Sequence, residues 1–412
     1  MNQPRLKLYS KPKYYIWALK QLLGISGSRE EAENCYTKML RDFLDVKHVI
    51  AMPLGRMAMY EGLRALYPQG GEIIVTPLTV PEVSQLIVLA GLSPVFCDIK
   101  KGTWNLDCEK VEELISNKTR AIVSTHLYGN TNTTLPIKNL CDAHGLDFIE
   151  DAAQSLGGYI SDKRSGSLGR FSLISHSYAK NVPSFYGGAL VTNDDNLSDK
   201  IYRNISSYSE VDRAWLARKV FKTAQLDIGT NQIVFSLATQ PLLKLAYRYT
   251  IKLIRNKVEI HLNDEKLDSV PRQYLTKLSA AQYNMLCDKI PEIDSDITHR
   301  IECAKLYHEG LSGVKNIVVP PLVTDRSHTY LYFPVEVPDR EQFIRYMVNS
   351  NCDISIHHLA DNASLESMAR HRKVCPNAKQ ASENTVMLPT YPDYEFDSVR
   401  RTVKHTKQYY GS

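Results

Sequence analysis

Three short stretches of the 412-residue chain hold side chains that could do chemistry. Ile149-Glu150-Asp151-Ala152-Ala153-Gln154 sets a carboxylate just past an apolar, strand-like run. Ser175-His176-Ser177-Tyr178-Ala179-Lys180-Asn181 places an amine twenty-nine residues after Asp151, and Gly187-Gly188 then opens another apolar run. Upstream, Pro53-Leu54-Gly55-Arg56-Met57-Ala58 reads as a tight turn opening a helix. An amine and a carboxylate brought together can pass a proton, and the amine can attack a carbonyl. A helix N-terminus offers backbone N–H groups to an anion. Each stretch alone also has a plainer reading: a helix cap, a solvated lysine, a simple turn.

The elements around these stretches alternate. Residues 72–75, 94–97, 120–125 and 146–149 read as strands, and 57–67, 81–90, 107–116 and 135–144 as the helices between them. That alternation predicts an α/β fold with a mainly parallel sheet covered on both faces, whose ligands sit beyond the carboxyl ends of the strands. Residues 1–48 read as a peripheral helical segment, with a helix over 30–44. A large domain spans 49–268, and a smaller α+β domain spans 269–412, with helices over 275–290 and 293–311 and a strand over 330–335.

Composition narrows the class. With 43% hydrophobic and 23% charged residues, the chain is neither disordered nor a small disulfide scaffold. A net charge of +5 is too balanced for a nucleic-acid binder, and none is expected as a partner. Eight scattered cysteines form no C-x-x-C pair, which removes support for zinc-ribbon and iron–sulfur readings and fits a reducing, cytoplasmic compartment. The basic start (Arg5, Lys7, Lys11, Lys13) is followed by an apolar core of only residues 14–19, too short for a signal peptide. No metal site is expected.

Taken together and in this order, the stretches resemble the DegT/DnrJ/EryC1/StrS family of sugar aminotransferases, within the fold-type I enzymes that use pyridoxal 5′-phosphate (PLP). The resemblance rests on the E-D-A-A-Q run, the Ser five residues before the Lys, the Lys-Asn pair and the following Gly-Gly strand. Gly91–Asp98, His126-Leu127-Tyr128-Gly129 and Val386-Met387-Leu388-Pro389 support it. It implies a large PLP-binding domain plus a small C-terminal domain, and a homodimer with the site at the subunit boundary. By the same resemblance, Lys180 carries the cofactor as a Schiff base and moves the proton, Asp151 faces the pyridine nitrogen, and Gln154 lies near the ring oxygen. Gly55, Arg56, Met57 and Ser175 bind the phosphate. Val80 falls where the family has a stacking aromatic. Arg272 falls on the Asn of the family's N-Y-R-M segment, which reaches a neighbouring subunit's phosphate. Tyr178 and His357 fall on the substrate side. The implied substrates are an amino-acid donor such as glutamate and a keto-sugar, nucleotide-linked, in amino-sugar and surface-polysaccharide synthesis. A PLP-dependent sugar dehydratase and a non-catalytic PLP-binding regulator are the alternatives.

One segment lies outside this pattern. Residues 203–262 hold ten Lys/Arg against four acids, and Lys244, Arg248, Lys252 and Arg255 form a cationic stripe at helical spacing. Three readings stay open for this insert, about 208–262. It is an extra packing helix, a peripheral membrane contact through 236–258, or a holder of an acidic sugar or nucleotide near the site.

Overall fold

The computed structural model describes residues 1–8, 10–249, 264–356 and 358–411. Seven strands form the central sheet: β1 (His48–Met52), β2 (Glu72–Val75), β3 (Ser93–Phe96), β4 (Thr119–Thr125), β5 (Asp147–Asp151), β6 (Phe171–Ser175) and β7 (Gly188–Thr192). Their order is β1-β7-β6-β5-β4-β2-β3. β7 runs antiparallel to both neighbours, and the other pairings are parallel. The carboxyl ends of β1, β2, β4, β5 and β6 therefore share one edge with the first residue of β7. Every loop that carries an expected chemical group before residue 190 opens at that edge.

Helices α1 (Pro12–Leu23) and α2 (Arg29–Leu44) precede the sheet, while α3 (Gly55–Leu66), α4 (Pro81–Leu89), α5 (Thr134–His144) and α6 (Asp195–Ile205) cover it. The start of α2 is set locally: Ser28 accepts from the Glu31 amide, and Glu30 and Glu31 face the positive end of the helix. Tight packing fixes α3. A Cβ added to Gly62 would lie 2.6 Å from the Phe171 ring of β6, and one on Gly188 would lie 2.4 Å from the Gly55 amide nitrogen. Only glycine lets the helix start so close to the strand.

The N-terminal segment is not peripheral. Tyr14, Tyr36, Leu40 and Leu44 are fully buried, and Arg5 reaches Asp353 near the other end of the chain at 2.7 Å. Burial of this apolar face outweighs the charge that marks the segment in sequence.

After the sheet come α7 (Arg213–Thr230) and α8 (Gln240–Arg248), then α9 (Ala280–Lys289) and α10 (Ile293–Leu311). A second sheet of β8 (Phe333–Glu336), β9 (Ser355–Ile356) and β10 (Thr385–Leu388) is antiparallel, in the order β8-β10-β9. Three expected boundaries shift. The helix expected from 275 starts at Ala280, because Ser279 and Gln282 form a reciprocal capping box and residues 275–277 pair with Ser209 instead. The strand expected from 330 starts at Phe333, because Tyr330 is left-handed (φ 46°) and stacks on His328 at 3.7 Å. The helix expected over 107–116 is one turn, Cys108–Val111, followed by the 3-10 turn Glu112–Leu114.

Candidate active site

Asp151 is the last residue of β5, fixed in the ladder opposite Leu173 of β6. Its carbonyl accepts from the His126 amide at 3.1 Å, and its Oδ1 accepts from the Ala153 amide at 3.1 Å. Burial pushes the carboxyl up to about 6, opposed by that N–H and by the Lys180 charge. Lys180 keeps some access to solvent, yet the protein around it pulls its ammonium down to about 8. Asp151 opposes that shift and Arg56 adds to it. Lys180 thus lies within the field of both the Asp151 carboxylate and the Arg56 guanidinium.

The loop that presents Lys180 is closed by His176. Its amide donates to Gly187 O, its carbonyl accepts from the Ser184 amide, and its Nδ1 meets Val182 O at 2.9 Å. Its Nε2 meets the Tyr36 hydroxyl of α2 at 2.7 Å. Burial lowers the imidazole to about 4, so it is neutral, with Nδ1–H donating to Val182 and Nε2 accepting from Tyr36. Asn181 Nδ2 donates to Leu156 O at 2.9 Å. The amine is therefore delivered by a loop pinned at three points.

The other end of the site is the start of α3. Leu54 precedes the helix and offers no side-chain cap. The Met57 amide donates to Leu54 O at 3.0 Å, so of the three expected anion donors Met57 is already used, and Gly55 and Arg56 remain. A Cβ on Gly55 would lie 2.9 Å from Ser175 Cβ, which puts Ser175 against this turn as expected. Arg56 is ion-paired with Glu82 in the first turn of α4 and lies 5.7 Å from the Tyr274 ring. Tyr274 Oη also donates to Glu82 at 3.3 Å. Burial lowers the Arg56 pKa.

The remaining expected residues divide. Val80 immediately precedes α4 and is half-buried beside the Leu78-Thr79 segment, which pairs with Ala360-Asp361. Gln154 is buried, but its Oε1 accepts from the Tyr128 amide at 2.9 Å, holding a left-handed turn (φ 56°). Arg272 is exposed on the 3-10 turn Arg272–Tyr274, and within this chain Tyr274, not Arg272, reaches the site. Tyr178 lines a pocket with Lys180, Lys7, Arg300 and Tyr332. His357 lies outside the described residues.

Several contributors lie outside the site residues expected from the sequence. Glu82 and Tyr274 meet Arg56 only through the fold. Arg300 of α10 is buried, with Nη1 on Leu331 O at 2.9 Å and Nε without a partner among the described residues. Glu150, next to Asp151, is structural: it accepts from the Leu168 amide and the Ser172 hydroxyl. His126 is buried between the hydroxyls of Ser155, Ser165 and Thr134, and burial lowers it to about 3. Glu150 and His126 lie in motifs already picked out in the sequence, the first after an apolar run that marks it as buried; nothing local marks Glu82, Tyr274 or Arg300.

A family model for the DegT/DnrJ/EryC1/StrS aminotransferases matches residues 17–232 and 256–407. The chain belongs to this family. GDP-perosamine synthase of Vibrio cholerae is 35% identical over 181 residues, 44% of this chain and 49% of that protein, so the match spans about half the relative's length. A dTDP-3-amino-3,6-dideoxy-alpha-D-galactopyranose transaminase of Aneurinibacillus thermoaerophilus is 25% identical over 381 residues, 91% of this chain and 89% of that one. The structure of Helicobacter pylori PseC, an aminotransferase of pseudoaminic acid biosynthesis, aligns over 100% of both chains with a TM-score of 0.75 at 18% identity. That last likeness concerns the fold, the α/β architecture expected for this family.

Proposed function

We propose that this family member is a PLP-dependent aminotransferase that moves an amino group from an amino acid of the glutamate type to a keto-sugar carried on a nucleotide. The observation that carries the reading is the Lys180 amine and the Asp151 carboxylate lying within each other's field, the carboxylate at the carboxyl edge of the sheet. The transaminase and perosamine synthase names among the relatives support the sugar class.

The residues present fit the cofactor. Asp151 is a buried carboxylate able to hold a ring N–H, and Lys180 is an amine within its field. The uncapped first turn of α3, wedged against Ser175 and Gly188, is a backbone anion site. Arg56 adds a cation there, and an entering phosphate competes with Glu82 for it. When bound, the cofactor's ring takes up the electron pair left as a donor's Cα–H bond breaks.

The chain's own groups do the rest. An amine held near 8 is partly neutral at physiological pH, so Lys180 Nζ can take a proton from the donor Cα and return it elsewhere. Arg300 lines the same pocket with an unpartnered Nε, which suits a donor carboxylate. Tyr178 and Tyr332 wall that pocket. Incubation of the PLP-loaded protein with glutamate tests the reading: 2-oxoglutarate should appear in a single turnover without keto-sugar. Bound PLP that glutamate never alters would leave a regulator. Sugar deoxygenation with no 2-oxoglutarate would mark a dehydratase.

A further inference from the structure

Two neighbouring segments leave large apolar side chains facing solvent. In α1 and the residues after it, Ile16, Leu19, Leu23 and Ile25 are each more than half exposed. From α7 through α8, Phe221, Ile228, Ile233, Leu237, Leu242 and Leu245 are exposed, Leu237 to 77%. Of the seventeen large hydrophobic side chains left exposed among the described residues, ten lie in these two segments. The segments also touch. Tyr15 of α1 donates its hydroxyl to Asp227 near the end of α7, and the Arg213 guanidinium at the start of α7 lies over Gly24, just past α1. The two helices are antiparallel neighbours, and their outer sides make one surface. The inner side of α8 is already buried through Leu243, Ala246 and Tyr247, and Leu242 and Leu245 face outward among the described residues.

The charge on this surface is mainly positive, although exposed Asp212 caps α7 and exposed Glu395 accepts from Gln232. Residues 213–249 carry six Lys/Arg and one acid, a net charge equal to that of the whole protein, and residues 12–25 carry no acid. The single acid, Asp227, is turned inward to Tyr15. Lys20, Arg213, Arg218, Lys222 and Arg248 are exposed among the apolar side chains. We propose that this face rests on an anionic lipid bilayer, its apolar side chains at the headgroup–acyl boundary and its cations on the lipid phosphates. No helix among the described residues is long and apolar enough to cross a membrane, so the contact lies in the surface plane. A second copy of the chain suits this face poorly. A two-fold interface sets a patch against itself, and here five exposed cations would meet five. A fluid array of negative headgroups needs no fixed partner geometry. This inference is independent of the reaction at Lys180.

Flotation of the full chain with vesicles tests it. At low salt, binding should be strong to phosphatidylcholine vesicles containing phosphatidylglycerol and at least about tenfold weaker to phosphatidylcholine alone. Reversing Arg218 and Lys222 to Glu should weaken binding about fivefold or more per charge, and high salt should do likewise. Leu237→Glu with Leu245→Glu should abolish it while leaving folding intact, since both side chains are exposed. Absent binding to the phosphatidylglycerol vesicles, or equal binding to both vesicle types, overturns the proposal. So does a Leu237→Glu/Leu245→Glu variant that splits an oligomer while still floating, since the face would then join copies of the chain.

Discussion

Lys180 and Arg56 are two cations within each other's field, and burial lowers the pKa of both, yet they are held by different means. The counter-charge of Lys180 sits at the end of β5, placed by a ladder of main-chain hydrogen bonds to β4 and β6. The counter-charge of Arg56 comes from the first turn of α4, and the ring beside it comes from a turn more than 200 residues further along the chain. A group placed by strand register can move only if the sheet moves. A group placed by side chains from three separate segments can be exchanged one residue at a time. By the resemblance to the family, Lys180 and Asp151 fall on its pattern, whereas at the anion end Arg272 stands where the family has Asn.

If that contrast holds, substitutions at the two ends should fail in different ways. The largest effect belongs to the amine. Lys180→Ala should lower single-turnover conversion of glutamate by at least about 10²-fold, the range expected for loss of a proton-transfer group. Its melting temperature at neutral pH should not fall, because an ammonium disfavoured by its surroundings is removed. Unchanged turnover, followed by 2-oxoglutarate release, would break the comparison at its stronger end.

The anion end should show up in affinity instead. Arg56→Gln should weaken PLP binding about tenfold, the loss of one charge-assisted hydrogen bond. Glu82→Gln should have the opposite sign, since it frees the guanidinium for phosphate. Equilibrium dialysis of the two variants measures both. Weakening by Glu82→Gln would show that Glu82 positions Arg56 rather than competing for it.

A smaller effect is the pH dependence of stability in the unloaded protein. Below about 8 both folded and unfolded chains hold the Lys180 proton, and the folded chain bears the full penalty of the enclosed charge. Between about 8 and the ordinary 10.5 the unfolded chain binds more protons, so stability rises with pH, and the penalty is gone above that range. Asp151 mirrors this: its penalty is absent below 3.8, grows as pH rises to about 6, and stays above it. Both penalties are at full size only between about 6 and 8. Chemical denaturation of wild type and Lys180→Met should therefore show wild type gaining on the variant from pH 8 to 10.5. A flat difference would mean that Asp151 fully neutralises the amine.

The sequence is legible where function depends on local order. The strand-end position of Asp151, the α3 turn at Gly55 and the alternation of the sheet follow from short patterns, and the structure brings Asp151 and Gly55 to one edge together with Ser175, whose strand the sequence pattern does not show. Legibility ends where long-range contacts decide. Charge made residues 30–44 look peripheral, but the buried stripe Tyr36, Leu40 and Leu44 seats α2 in the core and puts a hydroxyl on His176. The apolar content of 275–279 suits a helix, but pairing with Ser209 and the Ser279 cap delay it. Gln154 carries the spacing of a site residue while its amide oxygen is spent on Tyr128.

Arg272 gives the smallest effect and the finest test of the contrast. Being exposed, it contributes little to its own chain, and Arg272→Ala should change stability by no more than about 0.5 kcal/mol. Its neighbour Tyr274 reaches the Arg56 cluster, while Arg272 itself is exposed. If a second copy receives it, Arg272→Ala should weaken PLP binding a few-fold at protein concentrations where the chain is dimeric and not at all where it is monomeric. Titrations at high and low protein concentration, with the oligomeric state followed by sedimentation, separate the two cases. Equal affinities throughout would mean that Arg56 alone supplies the cation, and that the anion end, like the amine end, is complete within one chain.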